Sequence, residues 1–199
     1  MPCPEKFTES LARFAIDPVI SERILDGFHD LVSSSPKARK AAFFSRATAI
    51  VDDCLEWEKK CELMEYNACC KGGQRATAIK KFAKDHSSTD LAGKIIALAD
   101  VPNMGCPRLH ADGTITAHLM YMVDGAYRCP CPNFHLLKMA VPVSPTYCLC
   151  CAGHFKHHYQ NALGVRLKTK EIVSSPLSSM GRQPCVIAFV QDMAAPSER

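Results

Sequence analysis

The sequence predicts an α+β fold, a helical N-terminal part packed on a small antiparallel sheet with one long C-terminal helix. Three observations carry this. Apolar residues recur at helical spacing through the first hundred residues. After Val101-Pro102-Asn103 the texture changes to short extended runs separated by turn residues. A helical stretch from about Pro145 to Leu163, stopped by Gly164, then precedes two final strands.

In chain order, Asp17-Pro18 reads as a cap with proline in the first turn, followed by Val19, Ile20, Ile24, Phe28, Leu31 and Val32 on one face. Ser33-Ser34-Ser35-Pro36 breaks the chain and opens a second helix, expected to run through Phe43, Ile50, Leu55 and Trp57 towards Met64. Cys69-Cys70-Lys71-Gly72-Gly73 breaks it again, ahead of a basic amphipathic stretch to about Lys84. Ser88-Thr89-Asp90 caps a short helix over Leu91–Leu98. Asp112-Gly113 is a hairpin signal, and Thr114–Val123 reads as a strand ended by Asp124-Gly125. Val165–Val173 and Cys185–Val190 are the last strands. The organisation expected is a helical region at 1–100 and a cysteine-containing α+β domain at 101–199, forming one packed unit because neither apolar face is covered without the other.

Composition excludes several functions. The net charge of +4 is small and unclustered, so nucleic acid is not the expected partner. No apolar run reaches the length of a membrane span, and the N-terminus lacks the basic and apolar segments of a secretory signal, so a cytoplasmic location is expected. Twelve cysteines are the anomaly. In a reducing compartment they argue for metal ligation, reactive thiols or plain burial rather than a disulfide scaffold.

The chemistry-bearing segment is Cys129-Pro-Cys131 followed by Cys148-Leu-Cys150-Cys151. Two close pairs separated by a short insertion can supply four thiolates to tetrahedral zinc, with Cys129, Cys131, Cys148 and Cys150 as the expected ligands. Cys151 and His154 stand one helical step away as further ligands or outer partners. A cysteine in the first turn of a helix is also activated by the helix dipole, so Cys150 or Cys151 with His154 as base is the catalytic alternative, in a hydrolase or reductase. Buried thiols at a strand-to-helix corner are the plain alternative. In His154-x-x-His157-His158, the last two are expected on the surface. The basic stretch Lys71, Arg75, Lys80, Lys81 and Lys84 reads as a solvated helix face. The amides beyond Gly72-Gly73 offer a weak anion site. Cys185 shares a strand face with Ile187 and Phe189, where it is either a core thiol or a neighbour of Cys150 or Cys151.

The runs Cys150-Cys151-Ala-Gly-His154-Phe-Lys, Leu163-Gly-Val, Glu171 and Gly181-Arg-Gln-Pro-Cys185-Val-Ile-Ala-Phe189 resemble the C-terminal half of the 4-vinyl reductase or hydrocarbon-binding domain. A group of uncharacterised bacterial proteins with paired C-x-C motifs ahead of this helix looks closer still, and the L-2-amino-thiazoline-4-carboxylic acid hydrolase-like proteins are similar in the terminal strand. The resemblance spans roughly Tyr121–Val190. It implies an α/β domain around a small apolar pocket, with zinc held by Cys150 or Cys151, Glu171 and Cys185. Ser174 and Ser175 stand where that family has another cysteine, and the loop to Gly181 is longer; Cys129 and Cys131 would supply the missing thiolates.

The first function expected is therefore a small-molecule sensor or carrier with cysteine-bound zinc beside its pocket. The enzyme is the alternative, and a thiol redox or metal-handling protein is the third reading. The ligand expected is a small apolar or amphipathic molecule, with homodimer formation left open.

Overall fold

In the computed structural model, which describes residues 2–69, 71–137 and 142–193, the chain is α+β as its patterning predicts. Six helices come first: α1 (Pro4–Arg13), α2 (Pro18–Leu25), α3 (Lys37–Cys54), α4 (Trp57–Tyr66), α5 (Gly73–Asp85) and α6 (Leu91–Ala99). Short strands follow: β1 (Arg108–Leu109), β2 (Ile115–Leu119), β3 (Met122–Val123) and β4 (Ala126–Tyr127). A 3-10 turn (Pro145–Cys148) leads into α7 (Leu149–Leu163), and β5 (Leu167–Ser174) and β6 (Cys185–Gln191) complete the sheet.

Local chemistry sets most boundaries. Asp17 Oδ1 accepts the Val19 amide at 2.7 Å and Asp90 Oδ1 accepts that of Gly93 at 2.8 Å, so both carboxylates cap the helices that follow them. Gly164 ends α7 in the left-handed region at φ 73°, where a Cβ would be strained.

Three expectations are corrected. The first helix stops at Leu25, leaving Phe28, Leu31 and Val32 in the turns beyond Gly27. The second splits into α3 and α4 because Leu55 and Glu56 are extended; neither glycine nor proline marks that break. The long strand also divides. Asp124 and Gly125, at φ 51° and 73°, form the tip of a separate β3–β4 hairpin, as a turn with two positive φ values requires.

The main sheet is antiparallel in the order β1-β2-β6-β5. Ile115 and Ala117 of β2 lie opposite Phe189 and Ile187 of β6. All four are buried, forming the floor on which α7 rests. Phe155 and Tyr159 of α7 meet this floor, Tyr159 lying edge-on to Phe189 with ring centroids 5.8 Å apart. On its other side α7 packs against α4, α5 and α6. The N-terminal helices thus reach the sheet mainly through α7. A single apolar core runs from Phe7 to Phe189 and takes residues from both 1–100 and 101–199.

Candidate thiol centre

The entrance to α7 is pinned to α3. The Asp52 carboxylate accepts hydrogen bonds from the Ser144 and Thr146 hydroxyls, the latter at 2.5 Å, and Lys60 lies 3.4 Å from it. Ser144 Oγ in turn caps the 3-10 turn by accepting the Thr146 amide at 3.0 Å. Ahead of it, the Cys-Pro-Cys segment bends sharply, because the Cys131 carbonyl accepts the amides of both Phe134 and His135 at 2.9 and 2.7 Å. These two constraints bring Cys129 and Cys131 to the start of α7, where β6 also delivers Cys185.

Six cysteine thiols meet there, in three pairs. Cys129 lies beside Cys131, Cys148 beside Cys185, and Cys150 beside its neighbour Cys151. The pairs feel one another's charge: Cys129 responds to Cys148 and Cys151, and Cys150 responds to Cys131 and Cys148. Cys131, Cys148, Cys150 and Cys185 are buried, whereas Cys129 and Cys151 are half-buried. The sequence-predicted quartet of Cys129, Cys131, Cys148 and Cys150 is therefore gathered into one neighbourhood, with Cys151 and Cys185 added. Cys185 meets Cys148 rather than Cys150 or Cys151.

The pairs are not equivalent. The Cys131 sulfur lies 3.0 Å from the Tyr147 hydroxyl and close to the Cys129 thiol and the Asn133 backbone amide. Asn133 Nδ2 donates to Tyr147 Oη at 3.1 Å, linking amide, phenol and sulfur in one buried chain of contacts. The Cys131 pKa is pulled below the ordinary thiol value, with the neighbouring Cys129 thiol the largest cause. Cys129 is correspondingly pushed far up, first by holding its proton towards Cys131 and then by burial. Cys148 and Cys150 are likewise pushed up, each first by the hydrogen bond it donates.

The donor chemistry of this cluster suits a thiophilic ion, but its arrangement does not present one with a site. Among the described residues no group of three or more His, Cys, Asp or Glu side chains is placed to hold a metal ion. Glu171, the carboxylate the resemblance nominates, is exposed on β5 opposite Ala188.

A cavity of about 60 Å³ reaches Cys129, lined also by Phe134, Leu136, Leu137, Leu177 and Met180. A site for an apolar ligand of ordinary size occupies roughly 300–1,000 Å³. This one holds only a few water-sized bodies, each needing about 10–15 Å³ on the same measure.

His154 is spent elsewhere. Arg75, always a donor, lies 2.9 Å from Nε2, so that nitrogen is the acceptor, and Nδ1–H donates to the Cys69 carbonyl at 3.0 Å. Burial lowers its pKa to about 4, and neighbouring His158, Arg75 and His157 act in the same direction. A neutral imidazole with both nitrogens engaged leaves no base for a thiol at Cys150 or Cys151. His158 is buried at 1% exposure and His157 is half-buried, so the expected surface position fails for the former; α7 is covered on that side by α4 and α5. Arg75 leaves the supposed solvated face in the same way. The Cys69-Cys70 pair cannot be placed as a pair, because Cys70 lies outside the described residues.

Sequence reasoning missed Tyr147 and Asn133, whose only local signal is polarity inside an apolar run. It also missed Glu65. This carboxylate, 9% exposed, pairs with Lys156 and accepts the Thr169 hydroxyl at 2.5 Å, holding α4, α7 and β5 together.

No family model matches the chain, and no curated protein or solved structure matches it.

Proposed function

We propose that the protein is a thiol redox protein whose working group is the Cys129–Cys131 dithiol. The observation that carries this reading is the close pair itself: Cys131 is buried with its sulfur 3.0 Å from the Tyr147 hydroxyl, and Cys129 lies beside it at the cavity. Such a pair gives one thiol as nucleophile and a second in contact to resolve the product as a disulfide. Cys148 and Cys150 lie beside it, buried and pushed well above the ordinary thiol range.

Zinc held by the same sulfurs is the second reading. The donor chemistry of Cys129, Cys131, Cys148 and Cys150 supports it, and a small-molecule sensor would then use the metal beside its pocket. The catalytic reading on Cys150 or Cys151 with His154 has no such support.

The test equilibrates the reduced full chain, purified without a metal-affinity tag, in mixtures of reduced and oxidised dithiothreitol. Disulfides are mapped by non-reducing peptide mass analysis, and zinc is measured in the same preparation. The redox reading expects a reversible Cys129–Cys131 disulfide and less than stoichiometric zinc. About one zinc per chain, lost in Cys131→Ser, would replace it with the metal reading. A chain that forms no Cys129–Cys131 disulfide at any poise would overturn it.

A further inference from the structure

A second cleft lies apart from the thiol centre, between the end of α4 and the middle of α7. It offers about 260 Å³, and among the described residues no cysteine lines it. Its charges do not cancel. Glu62 and Glu65 of α4 line it, and each already has a lysine: Glu62 Oε2 accepts Lys59 Nζ at 2.7 Å, and Glu65 pairs with Lys156 of the facing wall. Lys71 also lines the cleft, and its ammonium meets a backbone carbonyl instead, donating to Glu65 O at 3.4 Å. Lys6, which is not part of the lining, donates to the next carbonyl, Tyr66 O, at 2.8 Å. These carbonyls belong to the C-terminal turn of α4, where the helix dipole amounts to roughly half a negative charge. Two ammonium groups exceed what that end can neutralise. The N-terminus of α5 follows two residues after Lys71 without a side-chain cap, and its dipole adds to the positive potential.

We infer that this cleft binds the phosphate group of a small, soluble phosphate monoester, with Lys71 as its principal contact. The surplus charge of Lys6 and Lys71 matches a phosphate ester, which carries about −1.5 to −2 near neutral pH. A single carboxylate would leave much of that surplus in place. The long contact of Lys71 to Glu65 O is one that a phosphate oxygen can replace with a shorter, charge-assisted bond. On the α7 wall, Gln160 Oε1 is held by the Leu167 amide at 2.8 Å, which leaves its Nε2 group as a neutral donor. The space falls below the roughly 300–1,000 Å³ of sites for drug-sized ligands, so the organic part of the ester is short.

Isothermal titration calorimetry of the reduced full chain, at neutral pH and fixed ionic strength, tests this with glycerol 3-phosphate, inorganic phosphate and acetate as probes. The wild-type chain should bind glycerol 3-phosphate at one site with a dissociation constant below about 1 mM, and acetate at least about tenfold more weakly. Lys71→Gln should weaken glycerol 3-phosphate at least about tenfold, the loss of one charge-assisted hydrogen bond, and Lys71→Arg should stay within about threefold of wild type. Lys71 is exposed, so neither variant should move the unfolding midpoint of the unliganded chain. No saturable binding tighter than about 1 mM, equal binding of acetate, or an affinity unchanged in Lys71→Gln would overturn the inference. So would sedimentation with phosphatidic acid vesicles without binding of either soluble phosphate, which would assign the charge to a membrane surface. The disulfide test of the thiol centre is independent of each of these outcomes.

Discussion

The two ends of one stretch of α7 show opposite solutions to burying polar groups. At its entrance, around Cys148–Cys151, thiols have mostly other thiols as partners, and a sulfur–sulfur hydrogen bond is weak. One turn further, His154, Glu65 and Lys156 are satisfied by strong partners from α4, α5 and β5. The first region holds groups that can change state without dismantling the fold. The second holds groups whose change of state opens the packing. On the proposed redox reading, reactivity belongs to the entrance and stability to the turn that follows.

The contrast is broken most severely at Gly153. A Cβ built there would stand 2.7 Å from the Glu65 Cα, backbone that cannot give way. Gly153→Ala should cost about 3 kcal/mol in thermal or denaturant unfolding, as core overpacking does. A loss below about 0.5 kcal/mol would mean that α4 and α7 are not pressed together as described.

The imidazole of His154 sharpens the comparison through pH. Its folded pKa lies near 4, below the ordinary value of 6.5, so the unfolded chain binds the extra proton first. The stability this represents is present above pH 6.5 and lost as pH falls towards 4, by up to about 3 kcal/mol. His157 and His118 are lowered too and add to the same window. His154→Gln should therefore flatten most of the slope of denaturant midpoint against pH between those limits. An unchanged slope would place the proton elsewhere.

A smaller effect is expected at Cys185, where serine preserves an acceptor for the Cys148 thiol. Cys185→Ser should cost about 1 kcal/mol, the scale of an imperfectly matched buried hydroxyl. Loss of cooperative unfolding in this variant would show that the sulfur does more than pack.

The legible parts of this molecule were those with local causes. Asp17, Asp90, Asp112-Gly113 and Gly164 act within a few residues of themselves, and each marks the boundary it should. The α3–α4 break is not local: Leu55 and Glu56 have ordinary helical character, and the turn is imposed by packing. The same holds for the site. Cysteine spacing grouped Cys129, Cys131, Cys148 and Cys150, and these four do lie near one another. It could not say that the sulfurs would pair two by two, since that depends on where β6 delivers Cys185. Tyr147 and Asn133 were illegible because their roles are set by a partner fourteen residues apart in one case and by the N-terminal Pro2 carbonyl in the other. The exposed reading of His158 failed for the same reason: the helices that cover it lie nearly a hundred residues upstream.

The central claim is that the Cys131 sulfur is singled out by its neighbours Cys129, Tyr147 and Asn133. Ultraviolet titration of thiolate absorbance in the native, reduced, metal-free chain tests it without requiring any reagent to enter the cavity. The account predicts that one thiol ionises below the range of the others, that Cys131→Ser removes this step, and that Cys129→Ala moves it upward. A native chain with no step below the ordinary thiol range, or a low step that survives in Cys131→Ser, would contradict it.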